Sequence, residues 1–169
     1  MSRQADTDFA QAVVDSLVFA SVAGRLSGTI TIATLGRIAD SLASEAGSLD
    51  CVVQGEIDQD GNSFLLLAVA GTLQLRCQRC LESMVLALRI DKRLLLVAPG
   101  GMWPDDELEN DEFDAIDASK TMMLLPLVEE EVLLALPIAP RHEICEPPAV
   151  MDKDRKPSAF AGLAQFRKH

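Results

Sequence analysis

The stretch "FLLLAVAGTLQLRCQRCLESMVLALRIDKRLLLVA" (residues 64–98) decides how the chain is read. Its first half sets Leu65, Leu67, Val69, Leu73 and Leu75 at alternating positions, and its second half does the same with Met84, Leu86, Leu88 and Ile90. A period of two puts alternate side chains on one face of a strand. Just upstream, "CVVQGEID" (51–58) places Cys51, Val53 and Ile57 on one face, and "DQDGNS" (58–63) carries Asp60-Gly61, a dipeptide suited to a tight hairpin. Strands joined in this way form an antiparallel meander. Cys77 and Cys80 then fall in the link between its last two long strands.

The flanks supply the other elements. "LVFASVAG" (17–24) has strand character. "TLGRIADSLASEAG" (34–47) reads as an amphipathic helix, with Leu35, Ile38, Leu42 and Ala46 on one face, Thr34 as cap and Gly47 as stop. "LLPLVEEEVLLALP" (124–137) reads as a second helix. Leu125, Val128, Val132 and Ala135 would share its buried face, Glu129, Glu130 and Glu131 would face water, Pro126 suits its first turn and Pro137 ends it. Between the strands and this helix, residues 99–119 hold Pro99, Gly100, Gly101, Pro104 and eight acids from Asp105 to Asp117. Like charges at that density repel, so a solvated loop is expected. The fold expected is α+β: a mainly antiparallel sheet with two packed helices, an acidic loop and a partly flexible C-terminal tail. Its organisation would be a flexible N-terminus (1–16), a single domain (17–146) and a tail (147–169).

Composition narrows the function. Of 169 residues, 49% are hydrophobic, enough for one core, but only 4% are aromatic and none is Tyr, so Leu, Val, Ile and Ala must fill it. A net charge of −11 argues against general binding to a phosphate backbone, which needs clustered Lys and Arg. The charge is uneven, because Lys153, Arg155, Lys156, Arg167 and Lys168 outnumber Asp152 and Asp154 in the last stretch, which leaves the body more acidic still. The apolar run 64–70 is far short of the roughly 20 residues of a membrane span. Asp6, Asp8 and Asp15 do not suit a signal peptide. A cytoplasmic protein is expected, and there cysteines serve as thiols or metal ligands more often than as disulfides.

The C-x-x-C of Cys77 and Cys80 has a downstream counterpart in "PRHEICEPP", where His142 and Cys145 are separated by two residues. Zinc takes four N or S donors at a tetrahedral point, and a two-residue gap lets the backbone curl so that both side chains reach one ion. The metal reading assigns Cys77, Cys80, His142 and Cys145 to a structural zinc, with Cys51 left as strand interior. The competing reading is reduced thiols with His142 as an ordinary loop residue, and the long separation between the pairs weighs on its side. Redox chemistry of the thioredoxin type wants the motif at a helix start, whereas this one lies between strands. Zinc deaminases need His and Glu upstream of the paired cysteines, and "RHEICE" supplies them downstream. No phosphate-cradling Gly-rich loop or prepared Ser–His pair is present.

"CQRCLE" (77–82), the acidic middle, "IDAS…LLPLVEEEVLLALPIAPRHEICE" (116–146) and "KPSAFAGLAQF" (156–166) together resemble the YceD family, named for accumulation of large-subunit (23S) ribosomal RNA. The resemblance runs from about residue 17 to the end. It implies a cytosolic, bacterial-type protein needed for 23S ribosomal RNA synthesis, processing or stability, without established catalytic residues. It maps the family's paired cysteines onto Cys77 and Cys80 and its acidic helix onto Glu129, Glu130 and Glu131.

Joined to the charge, the resemblance points to a non-enzymatic accessory factor whose acidic body holds large-subunit ribosomal precursors or basic ribosomal proteins. Asp105, Asp106, Glu107, Glu129, Glu130 and Glu131 are the candidate contacts. The tail patch of Ala159, Phe160, Leu163 and Phe166 either docks into a partner's groove or folds back on its own domain. Rival readings are a small zinc-stabilised RNA-binding protein, an RNA-processing enzyme, and a thiol redox protein.

Overall fold

A computed structural model describes residues 9–103 and 112–148. Asp105, Asp106 and Glu107, the tail patch and the first eight residues lie outside this range. In chain order the elements are a 3-10 turn at Phe9–Gln11, β1 (Val13–Val14), α1 (Ser16–Ser21), β2 (Arg25–Thr31), two further 3-10 turns at Ile32–Thr34 and Gly36–Ser41, β3 (Leu42–Ser44), β4 (Ser48–Ile57), β5 (Ser63–Arg76), β6 (Ser83–Val97), β7 (Asp114–Asp117), β8 (Met122–Met123) and α2 (Leu124–Ala135).

The expected meander is the spine. Strands β2, β4, β5, β6 and β7 lie side by side, β3 joins the edge of β5 beyond the reach of β4, and β1 pairs separately with β8. All pairings are antiparallel except β6 with β7. Register turns the sequence alternation into one apolar face: Cys51 opposes Val69, Val53 opposes Leu67, Val69 opposes Ile90 and Leu73 opposes Leu86. Both helices and the 3-10 turns contribute to the core on this face. The Asp58–Asn62 turn is closed as expected, with the Asp58 carboxylate accepting from the Asp60 and Asn62 amides. Gly61 there takes φ +85, a conformation costly for other residues.

Five expectations are corrected. Residues 16–21, which overlap the expected strand 17–24, form α1, because the Asp15 side chain accepts from the Val18 amide and caps a helix start. The helix then lies backbone-on-backbone against β4 at Gly55, where a Cβ would come 2.4 Å from the Phe19 carbonyl. Packing has overridden the β propensity of Val18 and Phe19. The helix expected at 34–47 is two 3-10 turns and β3. Ile32, Leu35 and Ile38 are all buried and recur every third residue, which suits a three-residue turn, and Leu42 leaves it to pair with Leu75. Ala46 is exposed, and Thr34 bonds back to the Thr31 carbonyl.

Residues 9–16, expected to be loose, belong to the fold: Phe9 is buried, β1 pairs with β8, and Ser16 exchanges hydrogen bonds with the Ser119 backbone. Asp114–Asp117, expected within the solvated loop, forms β7 beside β6, and residues 104–111 lie outside the described range. Helix α2 stands where the sequence placed it, but its buried face is Leu124, Val128, Glu131 and Val132, with Leu125 half-buried and Ala135 exposed.

Candidate metal centre

The site forms where the β5–β6 hairpin turns over. The Cys77 amide donates to the Glu82 carbonyl at 2.8 Å and the Leu81 amide to the Cys77 carbonyl at 2.9 Å, which folds residues 77–82 into a compact knuckle. Leu81 completes it in the left-handed region at φ +66. This curl holds the Cys77 and Cys80 sulfurs on the same side, as the two-residue spacing requires.

The second arm arrives from α2. The helix ends at Ala135, Pro137 follows, and the Gln78 amide donates to the buried Pro140 carbonyl at 2.8 Å, pinning the returning chain to the knuckle. His142 and Cys145 are thereby brought over the hairpin tip. The ligand atoms of Cys77, Cys80, His142 and Cys145 all lie within 4.8 Å of one another. Zinc–donor bonds of about 2.0–2.3 Å in a tetrahedron put neighbouring donors about 3.6–3.8 Å apart. The Cys77 and Cys145 sulfurs are 3.7 Å apart, and Cys80 Sγ is 3.3 Å from His142 Nδ1. The donor set is therefore close to the right size before any ion pulls it together.

Histidine orientation supports the same assignment. His142 Nε2 lies 3.2 Å from the Ser83 carbonyl oxygen, which can only accept. The ring proton then belongs on Nε2 and leaves the Nδ1 lone pair facing the sulfurs, the outer hydrogen bond that metal-bound histidines ordinarily make.

The electrostatics favour thiolate at Cys77. Burial opposes charge on Cys77, but the backbone amides of Cys80, His142 and Arg79 outweigh it and lower that thiol to about 5. For Cys80 the Glu82 backbone bond lowers the pKa, yet burial and the neighbouring Cys77 and Cys145 sulfurs together raise it. The two thiols of the knuckle are therefore unlike, Cys77 the more acidic and Cys80 the less, and a bound cation would take the place of the protons on them. Cys51 is different. It is buried in β4, and desolvation with Asp50 nearby pushes it up to about 12, so it is an inert part of the core.

Three sulfurs and one imidazole match the donors of structural zinc, and with four protein ligands the coordination shell would be closed. An ion there would supply crosslinking, joining the hairpin tip to the segment after α2.

The acidic candidates fare differently. Asp105, Asp106 and Glu107 are outside the described residues. Glu129 and Glu130 face outward, but both are engaged by Arg37: Glu129 accepts from its amide at 2.7 Å, and Glu130 pairs with its guanidinium. Glu131, expected to face water, is 5% exposed, and its Oε2 has no hydrogen-bond partner among the described residues. The buried face of α2 keeps Val128 and Val132 but takes in Leu124 and Glu131 in place of Leu125 and Ala135, which sets Glu131 near Lys92 and Asp114. Two site residues escaped sequence reasoning, Arg79 and Ser83. Arg79 stands inside C-x-x-C, where nothing distinguishes it from a surface base, and Ser83 acts through its carbonyl, which no side-chain pattern reveals.

A family model described as "Large ribosomal RNA subunit accumulation protein YceD" matches residues 65–167, a span that takes in β5, β6, α2 and all four clustered Cys and His residues. No solved structure matches the chain.

Proposed function

The chain belongs to the YceD family, and from that premise we propose that it acts as a non-enzymatic binding factor in the accumulation of large-subunit (23S) ribosomal RNA, with a structural zinc at Cys77, Cys80, His142 and Cys145. The observation that carries the zinc assignment is the convergence of two distant pairs into one closed donor set. A closed shell leaves no position for substrate, so the ion would serve shape, not turnover.

The partner is a basic component of the large-subunit precursor, a ribosomal protein whose Lys and Arg the acidic chain can cover. The net charge of −11 supports this choice. With Glu131 buried and Arg37 holding Glu129 and Glu130, the acidic segment containing Asp105, Asp106 and Glu107 becomes the main contact. Such a role belongs in the cytoplasm. Among the described residues no helix is long and apolar enough to cross a membrane.

Two experiments test the reading. Depletion of the protein followed by sizing of ribosomal RNA should show loss or misprocessing of the 23S species. Pull-down at low and high salt should recover large-subunit components, and reversal of charge at Asp105, Asp106 and Glu107 should reduce the recovery. Recovery indifferent to that reversal refutes the acidic contact, and hydrolysis of RNA by the isolated chain refutes the non-enzymatic role.

A further inference from the structure

We propose that Arg79 is the outer partner of the metal centre, neutralising a three-thiolate site, clamping the His142–Cys145 arm onto the Cys77–Cys80 knuckle, and keeping Cys145 chemically quiet. The inference rests on the zinc reading above and deepens it.

Charge gives the first reason. A zinc ion with three thiolates and a neutral imidazole carries a single net negative charge, in a neighbourhood that already holds Glu82 and Glu146 beside Cys80, His142 and Cys145. An anionic centre among carboxylates is destabilised unless a cation sits against it. Arg79 is that cation: its Nε donates to Cys145 Sγ at 2.9 Å.

Geometry gives the second. The same guanidinium donates through one Nη to the His142 carbonyl at 2.9 Å and the Glu143 carbonyl at 3.3 Å, while the Arg79 amide lies 3.4 Å from Cys77 Sγ. One residue therefore contacts a ligand sulfur from each arm and holds the His142 and Glu143 backbone of the second arm. A planar fork suits this set of acceptors, and a lysine ammonium would match it less well.

Reactivity follows from the same contacts. A thiolate attacks electrophiles through its lone pairs. Donation from a guanidinium ties up sulfur electron density, so a zinc-bound Cys145 should be a poor nucleophile. Outer-shell partners of this kind ordinarily alter metal affinity about 10–100-fold when removed.

The test uses the full chain. Cobalt(II) titration of the unaltered protein should give one equivalent with thiolate-to-metal absorption. Failure at that step refutes the zinc reading itself, independently of Arg79. Given binding, Arg79→Met should weaken zinc about 10–100-fold, Arg79→Lys should recover part of the loss, and iodoacetamide treatment of the zinc-loaded Arg79→Met protein should label Cys145 first, as read by mass spectrometry. Unchanged affinity or an unchanged order of labelling overturns the proposal. Should Arg79→Met fail to fold, zinc-loaded Arg79→Lys decides the matter: faster labelling of Cys145 than in the unaltered protein supports the clamp, and an equal rate overturns it.

Discussion

The Cys77 and Cys145 sulfurs lie 3.7 Å apart although 68 positions of sequence separate them. The hairpin tip is thus a clasp that closes the chain again after it has passed through β6, β7 and α2.

Zinc should therefore be measurable as one equivalent per chain, and both Cys77→Ser and Cys145→Ser should abolish it. Stabilisation by a ligand that binds the folded state reaches about 4 kcal/mol when its free concentration is about 1,000 times Kd. Chelation should lower Tm accordingly, at about 2–4 °C per kcal/mol for a chain of this size. A Tm indifferent to chelator would remove the clasp from the account of stability.

Leu81 offers a direct test of backbone strain. It sits at φ +66 with its side chain exposed, so replacing it removes little packing. The left-handed region costs an L-residue about 1–2 kcal/mol and glycine almost nothing. Leu81→Gly should raise stability by about 1 kcal/mol in urea unfolding while leaving metal stoichiometry unchanged.

Gly55 should show the opposite sensitivity. A methyl group there would meet the Phe19 carbonyl oxygen at 2.4 Å and the Ala20 Cα at 2.6 Å, both in the backbone of α1. Neither can rotate away. Gly55→Ala should cost about 1–3 kcal/mol, seen as a lower urea midpoint, with a matching loss of protection at the α1 amides in hydrogen exchange.

Glu131 should make stability depend on pH. Burial raises its carboxyl above the usual 4.5, Lys92 opposes that, and Asp114 and Glu130 reinforce it. A raised folded value means that the folded protein holds the proton more tightly than the unfolded chain. This contribution to stability is fully present below 4.5 and is lost as pH rises through the folded value. Glu131→Gln removes the titration, so it should stabilise the protein by about 1 kcal/mol at neutral pH, and the advantage should shrink as pH falls toward the unfolded value. An advantage constant with pH would assign the effect to packing.

The sequence by itself determined the three long strands β4, β5 and β6 and the candidate ligands. Alternation in Leu65–Leu75 and Met84–Ile90 and the helical spacing of Val128 and Val132 are periodic patterns, and periodicity records which side of a strand or helix meets the core, while Asp60-Gly61 marks its turn by residue type. Cys77, Cys80, His142 and Cys145 could be named because zinc chemistry restricts both residue type and local spacing. Only the tertiary structure decided the rest. Residues 16–21 coil because Asp15 caps them and Gly55 leaves room for a helix against β4. Leu35 and Ile38 adopt a tighter turn because Leu42 must reach Leu75. Glu131 is buried because α2 packs against β6 with Leu124, Val128 and Val132 inward, and Glu131 shares that side of the helix. Beside the local Asp15 cap, each case involves a contact between positions far apart in the chain: Gly55 with α1, Leu75 with Leu42, and β6 with α2. Local spacing carries no term for such contacts, and it could propose the two metal-binding pairs without showing that they would meet.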